Sequence, residues 1–378
     1  MRNVVIAGYV RSPFTPAKKG ELVKVRPDDL AAQTIQGLLA KTGVAPEEIE
    51  DLLLGCAFPE GEQGFNLARI VGFLAKLPIT VAGATVNRFC GSSMQAIHMA
   101  AGAIQWNAGE AFLCAGVESM TRVPMGGFNP MPNPALMASY PQAFAAMGET
   151  AENLAKQRGI PRARQEEFAL GSQQKCAAAI AAGKLDDEIV PIAWKGGTVV
   201  KDGCPRPDTT LEGLAGLKLA FDEKGTVTAG TSSPVTDGAA ATLVCSEEWA
   251  RAKGIRPLAR IRSFAVSGCA PEIMGIGPVA SSRKALERAG LKVSDIDIWE
   301  LNEAFASQSL ACIDELGIDP ARINLDGGAL ALGHPLGATG ARITGKAAAL
   351  LAREGKRYAV ATQCIGGGQG IATVLEAV

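Results

Sequence analysis

Two distant stretches of this 378-residue chain run through the same order of elements, and that repetition restricts the fold more than any other feature. In the first half, PEEIEDLLLG (46–55) leads into an apolar run, and 39 residues separate Asp51 from Cys90, which stands just before a helical stretch. In the second half, VSDIDIWELNEAF (293–305) has the matching pattern, and 36 residues separate Ile298 from His334, again just before a helical stretch. An internal duplication is the economical explanation. Strand-like runs alternate with alanine-rich helical ones, which is the pattern of an α/β protein with buried sheets.

The individual elements fit that plan. RPDDLAAQTIQGLLAKTG (26–43) predicts an amphipathic helix with aspartates in its first turn and glycine at its end. A strand over 49–57, a helix around Asn66–Leu74, a short strand near Ile79–Ala84, a helix from Ser92 to Trp106 and a buried strand at AFLCAG (111–116) follow. The second half offers helices at SSRKALERAG (281–290) and Ser309–Leu316, then a strand at RINLD (322–326). The glycine-rich GGALALGHPLGATG (327–340), a helix over 341–353 and a closing strand YAVATQC (358–364) complete it. Between the halves, residues 120–148 hold five methionines and five prolines with no helical or strand period. They predict a long loop or cap, suited equally to an acyl chain or to a contact between subunits. Two helices, 150–159 and 162–183, come next.

A single core rarely outgrows roughly 250–300 residues, so a chain of this length should hold two or more. A formal net charge of -1 supplies no field for nucleic acid or an acidic membrane surface. No run of about 18 apolar residues occurs, so no membrane span is expected. The amino-terminal MRNVVIAGYVRSPF reads as a first strand rather than a signal peptide. Nine scattered cysteines, no Cys-x-x-Cys pair and only two histidines argue against a zinc cluster. Most of these cysteines should be small buried hydrophobes in a reducing compartment, and a cytoplasmic location is expected.

Cys90 sits where a loop meets a helix start, and GSS after it allows close approach. Backbone N–H groups and the helix dipole there would favour a thiolate. Taken alone, Cys90 reads at least as well as a structural thiol. His98 is eight residues further along the same predicted helix, about 12 Å away, and is expected to be a core or interface residue. His334 lies in an irregular run with glycines at 333, 337 and 340 and a proline at 335. Such a run permits tight turns or close ligand approach. In ATQCIGGGQG (361–370), a strand feeding Cys364 and three glycines could expose N–H groups as an oxyanion hole. The same glycines could equally serve a tight crossover.

With these segments assembled, the chain resembles the thiolase family over its whole length. The matching segments are NRFCGSS (87–93), GVESM (116–120), MGETAENLA (147–155), GTVTAGTSSPVTDGAA (225–240), NEAFA (302–306), GGALALGHPLGATG (327–340) and CIGGGQG (364–370). The resemblance implies a duplicated, mixed-sheet α-β-α-β-α layered core with an inserted loop domain. The halves would be 1–119 plus about 231–257, and 258–378, with 120–230 as the loop or cap domain. It implies reversible thiolytic cleavage of a 3-ketoacyl-CoA by CoA. In that scheme Cys90 carries the acyl group, His334 activates it, and Asn302 holds a water that stabilises the thioester oxygen with His334. Cys364 is the acid and base at carbon, and the N–H groups of Cys90 and Gly366 hold the acyl carbonyl oxygen. Ser233 would meet the pantetheine, Lys218 would lie near the nucleotide, and Met147 would lie over the thioester. No metal or redox cofactor is implied, since CoA is a substrate, and a homodimer or homotetramer is expected.

Ala146 stands where many short-chain biosynthetic relatives have histidine, and TSSP replaces their NASG. With TRVPM, these features lean toward the degradative branch, while a condensing acetoacetyl-CoA thiolase is the alternative. Decarboxylating condensing enzymes of the ketoacyl-synthase kind usually need a cysteine with two histidines, and here a second cysteine takes one of those places. A non-catalytic CoA- or lipid-binding relative would be expected to have lost Cys90, His334 or Cys364, and all three are present.

Overall fold

The first strand, β1 (Val4–Arg11), serves two cores at once in the computed structural model, which describes residues 2–378. Val5 and Ala7 face one apolar cluster while Val4 and Ile6 face another, as the two-residue alternation of a strand requires. After β1 come α1 (Pro27–Thr42), β2 (Asp51–Gly55), α2 (Leu67–Leu74), β3 (Ala82–Val86), α3 (Ser92–Gln105) and β4 (Ala111–Ser119). An inserted stretch carries α4 (Pro134–Ser139), α5 (Met147–Arg158) and α6 (Arg162–Ala181), and the chain then rejoins the first sheet as β5 (Thr236–Ser246). The second half runs β6 (Ala259–Gly268), α7 (Gly277–Ala289), β7 (Ile298–Leu301), α8 (Ala306–Leu316), α9 (Leu336–Glu354), β8 (Tyr358–Ile365) and β9 (Gln369–Glu376).

The two halves share one topology. In the first, the order is β1-β5-β4-β2-β3; in the second it is β6-β9-β8-β7. The β1–β5 and β5–β4 pairs are antiparallel, and β2 is parallel to both β4 and β3. Correspondingly, β6–β9 and β9–β8 are antiparallel and β8–β7 is parallel. A lone parallel bridge from Trp299 to Ile323 occupies the place of β3. The duplication legible in the sequence is therefore a repeated sheet. The two sheets meet along only two residue pairs, Val5–Arg260 and Ile6–Ala259.

Helices fill three layers. Ile35 and Leu38 of α1 and Val71 of α2 pack on Leu52, Leu113 and Leu243, covering the outer face of the first sheet. Val279, Leu286 and Ile313 of α7 and α8 pack on Trp299, Val360 and Val374 of the second. Between the sheets, Met94 and Ile97 of α3 and Ile343 and Leu351 of α9 share one cluster with Ile6, Phe112, Ala361 and Ile371. This is the expected α-β-α-β-α layering. The middle helices touch closely: a Cβ on Gly340 would lie 2.3 Å from the Met94 nitrogen. Ala341 donates its N–H to the Ser93 hydroxyl at 2.8 Å. The residues before α3 and before α9 are thereby brought to one place.

Several local expectations are corrected. α9 begins at Leu336 rather than 341, because complete burial of its first turns outweighs the poor helix propensity of Gly337 and Gly340. RINLD is not a strand: Pro320–Arg322 form a 3₁₀ turn and Asn324 takes a positive φ of 45°. The Asn324 side chain instead bonds the N–H and C=O of Leu301 at 3.0 and 2.9 Å. The strand expected near 79–84 lies at Ala82–Val86. Residues 120–148 are not wholly irregular, since α4 forms there with Asn133 accepting the Leu136 N–H at 3.0 Å. The strands β5, β6 and β9 were not foreseen. Among the described residues no helix is long and apolar enough to cross a membrane.

Candidate active site

Cys90 lies one residue before Gly91, which caps α3, in a turn held against the end of β8. The backbone N–H groups of Gly366 and of Cys90 itself lie near enough to the Cys90 sulfur to favour its thiolate. The Gln363 amide donates to the Cys90 carbonyl. Part of the cysteine stays open to solvent, while the rest packs on Ala57, Met120 and Leu336. The lowered pKa expected at a helix start is not found. Burial pushes the thiol up to about 11, and the two N–H donors offset this only in part. At neutral pH Cys90 is a thiol, and it must lose its proton as it attacks.

Cys364 is the next-to-last residue of β8 and is fully enclosed. Burial holds its thiol well above the ordinary range, and the neighbouring Cys90 raises it further. The chain then turns through Gly367 and Gly368 at φ +79° and +82°. A Cβ on Gly368 would meet the Cys269 carbonyl oxygen at 2.3 Å, so glycine is required there for space as well as for backbone angle. This turn is what directs the Gly366 N–H at the Cys90 sulfur.

His334 is almost completely buried, and its N–H donates to the Thr236 hydroxyl at 3.0 Å. The tautomer follows from its neighbours. The Thr339 hydroxyl donates to the Pro335 carbonyl at 3.0 Å, so at 2.6 Å from His334 Nδ1 it must accept. With the hydroxyl so engaged, Nδ1 carries the proton and Nε2 presents a lone pair; the Asn302 amide nitrogen lies beside the ring, 3.5 Å from Nδ1 and 3.3 Å from Nε2. Burial lowers the imidazole to about 3, with Arg342 adding to the shift, so the ring is neutral and available as a base. Asn302 is fixed by its own N–H, which donates to the Thr362 carbonyl at 3.0 Å on β8. Its Oδ1 is buried and has no partner. An unused acceptor beside a neutral imidazole is suited to a small polar group.

The remaining expected residues surround this centre unequally. Met147, first residue of α5, packs with Phe305 and Cys364, and its Sδ would lie 3.5 Å from a Cβ on Gly366. Ser233 donates its N–H to the Ala304 carbonyl at 3.0 Å, which joins the TSSP segment directly to NEAFA. Lys218 is exposed and, among the described residues, makes no ion pair. The basic residue beside the TSSP segment is Arg206, which lines a hollow of about 60 Å³ with Ser232, Pro234 and Leu330. His98 is structural: its Nε2 lies 2.7 Å from the Thr373 hydroxyl and its ring stacks on Phe264 at 4.2 Å.

Glu118, in GVESM, has a structural part that its motif alone does not reveal. This carboxylate, next to last in β4, is fully buried and accepts N–H groups of Ala57 and Gly337, both at 2.8 Å, and of the Gln63 amide at 2.9 Å. It ties the loop beneath Cys90 to the first turn of the helix that follows His334. The one available signal was an acid at the end of an otherwise apolar strand, AFLCAGVES.

Residues 4–248 match the family described as Thiolase, N-terminal domain, and residues 255–377 match Thiolase, C-terminal domain. The chain is similar to the 3-ketoacyl-CoA thiolase of Bacillus subtilis (strain 168), at 46% identity over 389 residues and 100% of both chains. Human mitochondrial 3-ketoacyl-CoA thiolase in complex with CoA has a similar structure, with a TM-score of 0.92, 40% identity, and coverage of 100% of this chain and 98% of that one. The acetyl-CoA acetyltransferase of Bacillus anthracis compares equally well, with a TM-score of 0.92, 41% identity, and 100% and 99% coverage.

Proposed function

The chain belongs to the thiolase family, and from that premise we propose that it cleaves 3-ketoacyl-CoA thioesters with CoA, releasing acetyl-CoA and a shortened acyl-CoA. The observation that supports this reading is that Cys364 and the Gly366 N–H act directly on Cys90, while Leu336, two residues past the Asn302–His334 pair's histidine, packs with Cys90. His334 Nε2 takes the Cys90 proton as the sulfur bonds to the 3-keto carbon. The Cα–Cβ bond then breaks, and Cys364 gives its proton to the departing carbon, which leaves as acetyl-CoA. The Cys364 thiolate then recovers a proton from the His334 imidazolium, and His334 in turn takes the proton of the incoming CoA thiol as its sulfur attacks the acyl-Cys90 thioester. Cys90 departs and regains the proton held on His334. Two oxyanions develop along this route. The N–H groups of Cys90 and Gly366 meet that of the acyl carbonyl; Asn302 and His334, with a water between them, meet the enolate oxygen of the leaving thioester.

Ser233 is proposed to meet the pantetheine of CoA, and Met147 to cover the thioester. For the phosphates, Arg206, which lines the hollow beside TSSP, is a candidate together with Lys218, whose neighbour Leu217 lines the same hollow. The names of the relatives favour the degradative direction. The same groups run backwards would condense two acetyl-CoA molecules, and the likeness to an acetyl-CoA acetyltransferase keeps that reading in view. Thiolysis of 3-ketoacyl-CoAs of increasing length, followed at the enolate absorbance, separates the two. Turnover should persist beyond four carbons. Turnover confined to acetoacetyl-CoA would favour the condensing role, and none with any length would refute the proposed function.

We also propose a homodimer built on β3, whose outer edge has no partner strand among the described residues. Around it lie exposed apolar side chains, including Phe65 at 96% and Ile79 at 80%. The 120–148 stretch, with Met131 81% exposed, offers a second contact that would pair dimers into a tetramer. Light scattering should give two or four chains per particle, and Phe65→Glu with Ile79→Glu should lower that mass. A monomeric native protein would contradict this assembly.

A further inference from the structure

The residue before the nucleophile has an unfavourable backbone. Phe89 takes φ +42°, in the left-handed region that bulky side chains rarely occupy. Glycine follows Cys90 at position 91, yet the left-handed angle falls on the aromatic residue. Such a conformation persists only where the surroundings fix it.

Two side chains do so. The Ser92 hydroxyl, fully buried, accepts the Arg88 N–H at 2.9 Å and donates to the Phe89 carbonyl at 2.5 Å. It thus bridges both sides of the strained residue. Asn87 Oδ1 accepts the Phe89 N–H at 2.9 Å while its amide donates to the Ala57 carbonyl at 3.0 Å. Asn87 thereby anchors the turn to the loop that Glu118 holds. Ser92 does not cap α3, because Gly91 occupies the cap position and makes no side-chain bond there. Nor does α3 depend on that hydroxyl for its place. Ser93 is bonded to Ala341, and Met94, Ile97 and Ile104 are buried in the central core.

We infer that Ser92 is a positioning residue: its hydroxyl clamps Phe89 in the left-handed conformation, and that turn aims the Cys90 sulfur at the Gly366 N–H. Without the clamp, Phe89 relaxes toward negative φ and the following peptide, with the Cys90 N–H and side chain, swings out of the oxyanion site. The inference rests on the reading of Cys90 as the acyl carrier. It makes a prediction that general loosening of the fold does not: glycine at 89, which adopts positive φ freely, should remove the need for Ser92.

The test measures single-turnover acetylation of Cys90 by saturating acetyl-CoA, with quenched flow and peptide mass spectrometry. Wild type, Ser92→Ala, Phe89→Gly and the double variant are compared. Ser92→Ala should slow acetylation by roughly 10- to 100-fold, the range expected when one strained conformation is released, with CoA affinity by calorimetry unchanged. In the Phe89→Gly background the same substitution should cost less than about threefold. An undiminished rate in Ser92→Ala, or an equal loss in both backgrounds, overturns the clamp. Should Ser92→Ala fail to fold, the two proteins with glycine at 89 decide the matter: similar rates support the clamp, and a gap of about tenfold or more overturns it. Wild type that takes no acetyl group on Cys90 overturns the acyl-cysteine reading and the clamp with it. Acetylated wild type with equal losses overturns the clamp alone.

Discussion

Cys90→Ala should fold, take up no acetyl group from acetyl-CoA, and catalyse thiolysis at least roughly ten-thousandfold more slowly than the parent. Folding should survive because Cys90 is partly open and contributes little to the three main cores. Catalysis should not, because no neighbour can replace the sulfur that receives the acyl group. Cys364 is the nearest alternative, but it is completely enclosed and its thiol is held further from ionisation. Of the other seven cysteines, those at 56, 114, 176, 204, 245 and 312 are buried inside the fold, and Cys269, partly open, has its own thiol pushed up to about 11 by burial. A second readout uses the thiol near 11: iodoacetamide should label Cys90 about tenfold faster for each pH unit between 7 and 10, as the thiolate fraction grows. Acyl label found on a different cysteine, with Cys90→Ala still active, would refute the assignment.

On the proposed mechanism, an ordinary-looking thiol suffices because of how the site is built. Static ionisation is not the device, since burial raises both thiols and lowers His334 to about 3. Proton transfer between fixed neutral groups, with N–H donors already aimed at the developing oxyanion, is the arrangement the geometry supports. The sequence showed the repeated order and the chemical types placed before α3 and before α9. It could not show the lowered or raised pKa values, because these come from packing between residues far apart in the chain. The Gly366 N–H on the Cys90 sulfur is one such contact.

Local misreadings have the same origin. β5 and β9 are rich in small residues and buried along nearly their whole length, so neither shows the polar alternation that marks a half-exposed strand. The first turns of α9 contain two glycines that would destabilise an isolated helix, yet between two sheets Gly340 lets α3 approach and Gly337 lets the ends of β2 and β4 approach. Ser92 looked like a small residue permitting close contact, whereas its two hydrogen bonds are visible only in the folded turn. The LKLAF motif draws attention to Lys218, and only the fold shows that Arg206 also lies beside TSSP. Chemistry-bearing residues are thus legible where a repeat marks them, and illegible where only tertiary contact gives them a role.

Cys364→Ala should divide the reaction in two. Acetyl transfer from acetyl-CoA to Cys90 needs His334 and the Cys90 and Gly366 N–H groups, none of which Cys364 supplies, so acetylation should continue within a few-fold of the parent. Breaking or making the carbon–carbon bond needs a proton delivered to or removed from carbon, and thiolysis should fall by roughly 10²–10⁴-fold. The lost sulfur leaves a small void against Met147, Met274 and Phe305, costing on the order of 1 kcal/mol, too little to unfold the chain. Exchange of the acetyl-CoA methyl protons with deuterated water gives the sharper measurement, because it reports proton removal at carbon without bond cleavage. The parent should exchange and Cys364→Ala should not, while both become acetylated. If Cys364→Ala loses acetylation to the same degree as exchange, the two thiols act as one unit and the separate role of Cys364 is wrong. Continued exchange in Cys364→Ala would instead return the carbon acid–base role to His334, the remaining base identified in this site.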